Sequence, residues 1–232
     1  MLTAIAMIPS APVMVPELAT GAAAELTELH AAVLAAARSL PDRWVAVGVG
    51  SADEVIGTDA VGTFGGYGVD VRVALTGDGL VDEAVQPSRL PLAALIAGWV
   101  RGQANPAALA EVRVYSEGQD GAAALALGRA LRAELDGVAE AVGVLVVADG
   151  ANTLTPPAPG GYDPDSPAVQ QRLDDALGSG DVAGLAGLPR EIVGRVAYQV
   201  LAGLVEPGPS SARELFRGAP YGVGYFVGTW TL

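Results

Sequence analysis

The sequence predicts an α/β fold: one domain over residues 1–232, with a central, mainly parallel or mixed β-sheet flanked by helices. Three observations carry that expectation. Short apolar runs rich in valine alternate with longer stretches of helical periodicity. One run, Ala141–Ala148 (AVGVLVVA), is apolar throughout, as a strand covered on both faces is. No internal repeat, charge block or linker-like segment divides the chain.

In chain order, Leu2–Ile8 reads as a first buried strand ending at Pro9-Ser10-Ala11-Pro12. After Thr20-Gly21 an alanine-rich helix runs to about Ser39, with Leu26, Leu29, Val33 and Ala37 on one face. Pro41-Asp42 breaks it. Trp44–Gly50 is a second strand, given β-branched character by Val45, Val47 and Val49. A glycine-dense passage from Gly57 to Gly68 leads into alternation through Val69, Val71 and Val73. Leu90–Arg101 fits a helix, Val112–Tyr115 a short strand and Gly121–Leu135 another helix. The central strand then runs into a loop, Asp149–Asp165, too rich in proline and glycine for regular structure. Ser166-Pro167 reads as an N-cap with proline at the first helical position, opening a helix through Val169, Leu173 and Leu177 that ends at Gly178. Asp181 caps a short turn, Pro189–Val205 repeats with helical period, and Tyr221–Trp230 is a late strand.

Composition removes several chemistries. The 232 residues include 13 basic side chains, all arginine, 26 acidic ones, one histidine and no cysteine. Without cysteine there is no disulfide framework, zinc finger, iron–sulfur cluster or thiol nucleophile. Without lysine there is no Schiff base and no Walker-type phosphate loop. A single histidine cannot supply the two imidazoles of a two-His-one-carboxylate iron site. The net charge of −13 repels nucleic acid and anionic lipid, so neither is an expected partner. The longest uncharged runs, Leu2–Pro16 and Gly218–Leu232, are too short and broken to span a bilayer. No basic residue precedes the first apolar stretch, which argues against a secretory signal and for a cytoplasmic protein.

In open α/β sheets, ligands gather beyond the carboxyl ends of the strands. Polar groups stand there after three strands: Ser10; Ser51 and Asp53; Asp149 and Asn152. If those strands are neighbours, the residues face one crevice. Asp53 and Asp149 then suit a hard cation such as Mg2+ or Mn2+, or an acid–base pair without metal. The ordinary alternative is that these residues cap turns and helices. Gly48-Val49-Gly50-Ser51-Ala52-Asp53 holds two glycines of a dinucleotide fingerprint, but Asp53 replaces the third. No G-x-S-x-G elbow is present. His30 falls mid-helix beside Leu26, Leu29 and Val33, as a packed helical histidine does. Tyr221, Tyr225, Phe226 and Trp230 suit either a pocket wall or strand packing.

Two segments carry a family resemblance. The opening, Ala6-Met7-Ile8-Pro9-Ser10-Ala11-Pro12-Val13-Met14-Val15-Pro16-Glu17, resembles the first strand and loop of the catalytic (LigB-like) domains of class III extradiol ring-cleavage dioxygenases and of the related Memo-like proteins. Asp149-Gly150-Ala151-Asn152, Ala158-Pro159-Gly160-Gly161-Tyr162-Asp163 and Ala219-Pro220-Tyr221-Gly222-Val223-Gly224-Tyr225 look like the short actinobacterial LigB-like proteins. The resemblance covers essentially the whole chain. It implies a site where two histidines and a glutamate hold non-haem Fe(II), a further histidine acts as acid and base, and both atoms of O2 enter a catechol-type ring.

The first metal histidine of that pattern falls at Ser10, the second among Ser51, Ala52 and Asp53, and the acid–base histidine near Asn152 and Thr153. The metal glutamate has no assigned position. Hydroxyls and an amide are poor Fe(II) ligands beside imidazole. The expectation is therefore an extradiol dioxygenase-like protein without metal or cofactor, non-catalytic or repurposed to bind a small molecule or a partner through Ser10, Ser51, Asp53, Asp149, Asn152 and Tyr221. The alternatives are a carboxylate enzyme using Asp53 and Asp149, and a ring-cleavage dioxygenase completed by a partner chain. Since family members commonly pair, the resemblance also implies a homodimer.

Overall fold

Four short apolar runs form the parallel centre of the sheet. In the computed structural model, which describes residues 1–19, 26–77 and 85–232, they are β1 (Leu2–Ile8), β2 (Arg43–Gly50), β6 (Leu109–Ser116) and β7 (Val142–Val147). Three shorter strands, β3 (Glu54–Ile56), β4 (Val61–Thr63) and β5 (Arg72–Ala74), lie between β2 and β6 in sequence, and β8 (Ser211–Gly218) and β9 (Tyr225–Thr231) close the chain. The main sheet has seven strands in the order β3-β6-β2-β7-β1-β9-β8, while β4 and β5 form a separate two-stranded sheet. β3 pairs antiparallel to β6, and β9 antiparallel to both β1 and β8, so the sheet is mixed. The sequence reading of an α/β fold with a central sheet flanked by helices describes this architecture.

Alternation along the strands divides the core in two. Ala6, Ile8, Trp44, Ala46, Leu145 and Val147 pack with helices α1 (Thr27–Arg38) and α2 (Leu92–Ala104) on one face. Ile5, Met7, Val45, Val47, Val144 and Val146 pack on the other face. There they meet α3 (Gly121–Asp136), α4 (Ser166–Ser179), α5 (Val182–Ala186) and α6 (Arg195–Val205). The period of two puts each set on its own side, as a sheet buried on both faces requires.

That division positions the site. The chain leaves β1 and β2 toward the first face, and leaves β6 and β7 toward the second. Neighbours β6, β2, β7 and β1 therefore send their connections to alternate sides, which opens a crevice along their carboxyl ends. Gly48 sharpens one part of it. A Cβ there would lie 2.2 Å from Ala93 Cβ, so glycine is what lets the first turn of α2 press against β2.

Several boundaries differ from the sequence reading. The expected start of the first helix lies outside the described residues, and α1 is described from Thr27. The Val69–Val73 alternation yields only Arg72–Ala74, which pairs with β4 rather than the main sheet. Ser166 is the first residue of α4 rather than its N-cap, which is Asp165, and its hydroxyl bonds Thr153 Oγ1 at 2.5 Å. The helical period from Pro189 overruns the helix, since α6 begins at Arg195 and Val193 is half exposed. Asp181 caps α5 as expected, accepting from the Gly184 N–H at 3.1 Å. No helix among the described residues is long and apolar enough to cross a membrane.

Candidate functional site

Strand register explains how residues far apart in sequence meet at the crevice. β1 and β7 run parallel with Ile8 opposite Val147, so two residues further on Ser10 comes opposite Asp149. The Ser10 N–H donates to Asp149 Oδ1 at 2.8 Å. β2 pairs with the other side of β7, Val47 opposite Val146, which carries Gly50 and Ser51 to the same level. The structure thus joins two of the sequence-predicted residues directly and sets a third alongside.

Asp149 lies deep at the end of β7, with only part of the residue reached by solvent. Burial pushes its carboxyl up to about 7, while the Ser10 N–H pulls in the opposite direction by favouring the carboxylate. The Tyr198 hydroxyl donates to Ala148 O at 2.9 Å. Burial holds the Tyr198 and Tyr225 phenols above their usual range, and the nearby Asp149 charge adds to it.

The loop after Asp149 is held from α4. The Ala151 N–H donates to Gln170 Oε1, and Gln170 Nε2 donates to Asp174 Oδ1, both at 2.8 Å. Gly150 and Gly224 make room for this amide, since a Cβ on either would come within about 2 Å of Gln170 Oε1. Asp174 is buried, and its carboxyl is pushed up to about 6, with the Gln170 amide opposing the shift. The sequence reading passed over this pair. Its signal was present: Gln170 and Asp174, four apart, lie within the apolar stripe of Val169, Leu173 and Leu177.

The other candidates have separate tasks. Asp53 Oδ1 accepts the Ser116 N–H at 2.6 Å, and its carboxylate takes the Gln119 amide, so it closes the turn after β2 onto the end of β6. With β2 between β6 and β7, the anchors of Asp53 and Asp149 are two strand spacings apart, about 10 Å. Carboxylates that share one Mg2+ at bonds of about 2 Å lie much closer together. Among the described residues, no group of three or more His, Asp or Glu side chains is placed to hold a metal ion. Asn152 sits inside the loop, its O accepting the Gly160 N–H at 2.9 Å. Tyr221 lines a shallow apolar groove of about 300 Å3 with Tyr225, Val223 and Pro12. His30 is on α1, with its ring centroid 6.2 Å from that of Trp99, and burial lowers its pKa.

A larger cavity, about 1030 Å3, opens at the other end of the crevice. Val49, Gly50, Ser51 and Val114 from β2 and β6 line it, facing Thr63 of the small sheet and Leu95 of α2. Arg89 and Glu54 also line it and were not singled out from sequence, because nothing local marks them.

No family model matches the sequence, and no curated protein matches it. Among solved structures, the chain is similar to that of an uncharacterized protein, JW3007, from Escherichia coli K12. The TM-score is 0.57 at 10% identity, and the match covers 98% of this chain and 99% of that one. At that identity the likeness concerns the fold.

Proposed function

We propose that this protein is a LigB-like, extradiol dioxygenase-related chain that has lost the iron chemistry and binds a small molecule along the carboxyl edge of its parallel strands. One observation carries the reading. The positions where the resemblance puts imidazoles hold short polar side chains in segments bonded to the protein itself. Ser10 N–H is bonded to Asp149, Asp53 holds the end of β6, and Thr153 bonds Ser166. These donors do not fit Fe(II), for which serine, threonine and asparagine are weak ligands. His30, in the first turn of α1 against Trp99, is not among them. The cavity and groove beside these residues favour binding over an inert plug.

The test is oxygen consumption with added Fe(II) and a panel of catechols. The expected result is no uptake above that of iron and catechol alone. A saturable, protein-dependent rate overturns the reading.

The deep Asp149 carboxyl favours a second reading, a metal-free enzyme in which Asp149 gives or takes a proton near neutral pH. A substrate screen that finds turnover, followed by Asp149→Asn, tests it. A loss of about 100-fold in kcat supports a proton-transfer role, and unchanged turnover removes it. Asp53, spent on the β6 end, has no part in this second reading.

A further inference from the structure

We infer that the cavity of about 1030 Å3 is a site for a dipolar small molecule, an apolar body with a carboxylate at one end and an amine at the other, held between Arg89 and Glu54. The inference rests on the proposal that the carboxyl edge binds a small molecule, and it names the ligand class for the half that Ser51 lines.

Both signs of charge line this cavity. Arg89, on the segment leading into α2, and Glu54, at the start of β3, line the same cavity and are both exposed. Neither side chain makes an ion pair or hydrogen bond among the described residues. Eight of the other arginines do bond carboxylates or carbonyls: Arg43, Arg72, Arg101, Arg113, Arg129, Arg132, Arg195 and Arg217. Opposite charges that share one cavity without pairing leave room for a molecule that meets each of them.

The floor specifies the middle of that molecule. Val49, Val114 and Leu95 add apolar surface to the same cavity, and Gly50 leaves room for the Val114 side chain there, since a Cβ at Gly50 would lie 2.6 Å from Val114 Cγ1. Apolar surface combined with polar groups that can fix a ligand's orientation is what a small-molecule site offers. The net charge of −13 bears on the choice as well. It repels a simple anion at long range and attracts any amine without selectivity, whereas a zwitterion meets neither effect and is selected only where both partners stand.

The experiment titrates the intact chain with ω-amino acids from aminobutanoate to aminooctanoate, with hexanoate and hexylamine as the half-molecules of aminohexanoate. Binding is read by calorimetry and by amide shifts at Ser51 and Val114. At least one ω-amino acid is expected to bind, with shifts at both residues, and about fivefold more tightly than either half-molecule, the upper range for exposed ion pairs. Arg89→Gln and Glu54→Gln each remove that advantage. Both side chains are exposed, so the variants keep the fold, which an unchanged Tm verifies. If no ω-amino acid in the series binds, or if hexanoate or hexylamine binds as tightly as the tightest-binding ω-amino acid, the inference is overturned. Either result leaves the iron-free reading standing, because that is tested by oxygen uptake and Fe(II) binding.

Discussion

The two ends of the carboxyl edge differ in how their polar groups are satisfied. At the β1–β7 end, Ser10, Asp149, Ala151, Gln170 and Asp174 are joined by backbone and side-chain hydrogen bonds around a deep carboxyl. At the β2–β6 end, Arg89 and Glu54 stand on the rim of a cavity without partners among the described residues. One end is closed by the protein's own chemistry and the other is left as an open cavity. The same sheet produces both, because strand order sets which neighbours meet and the side chains decide whether the meeting is self-satisfying.

The largest expected effect breaks the open end. Gly48→Val forces a side chain into Ala93 and separates α2 from β2, at a cost of about 3 kcal/mol by chemical denaturation. Gly66→Ala, where nothing lies within 4 Å of the added Cβ, is the control for the same cavity and shifts stability by less than about 0.5 kcal/mol.

The closed end is broken by pH. A carboxyl raised to about 7 in the folded chain keeps its proton after the unfolded chain has lost it near pH 4, so its neutral form favours folding at low pH. That contribution is fully present below about pH 4 and is lost as pH rises through about 7. Asp149→Asn removes the titration. Relative to the parent, the variant gains on the order of 4 kcal/mol between pH 4 and pH 8. Denaturation curves at the two pH values measure it, and an unchanged difference contradicts a deep carboxyl. Asp174, raised to about 6 by burial, adds a slope of the same sign over a narrower window.

A smaller effect separates the two aspartates. Asp53→Ala costs about 1 kcal/mol, the worth of an exposed turn-closing carboxylate. Combined with Asp149→Asn it adds to within about 0.5 kcal/mol, as sites on separate anchors do. A larger coupling in the double-mutant cycle contradicts the separation and revives a shared carboxylate site.

How far the sequence revealed this molecule follows from what each feature depends on. β1, β2 and β7 are legible because their apolar residues cluster in short runs, and α3 and α4 because their apolar residues recur with helical period. β8 was invisible: SARELFRG lies on the sheet edge with no apolar alternation. β3 and β4 are three residues each, too short to show a period. Ser10 and Asp149 were legible as strand-end groups, but their hydrogen bond depends on β1 lying beside β7, a long-range choice that no local pattern encodes. Asp53 illustrates the opposite case. Its type and position suited a site, and the Ser116 N–H took its carboxylate for a turn. Arg89 and Glu54 meet only through the path of the chain between β2 and α2, so neither had a sequence signal.

The central proposal, that this chain does not bind Fe(II) at the carboxyl edge of its sheet, is tested most directly by anaerobic calorimetric titration of the intact chain with Fe(II). The expected result is heat of dilution and no stoichiometric binding. One tight site per chain, retained in Asp149→Asn or lost with it, contradicts the claim.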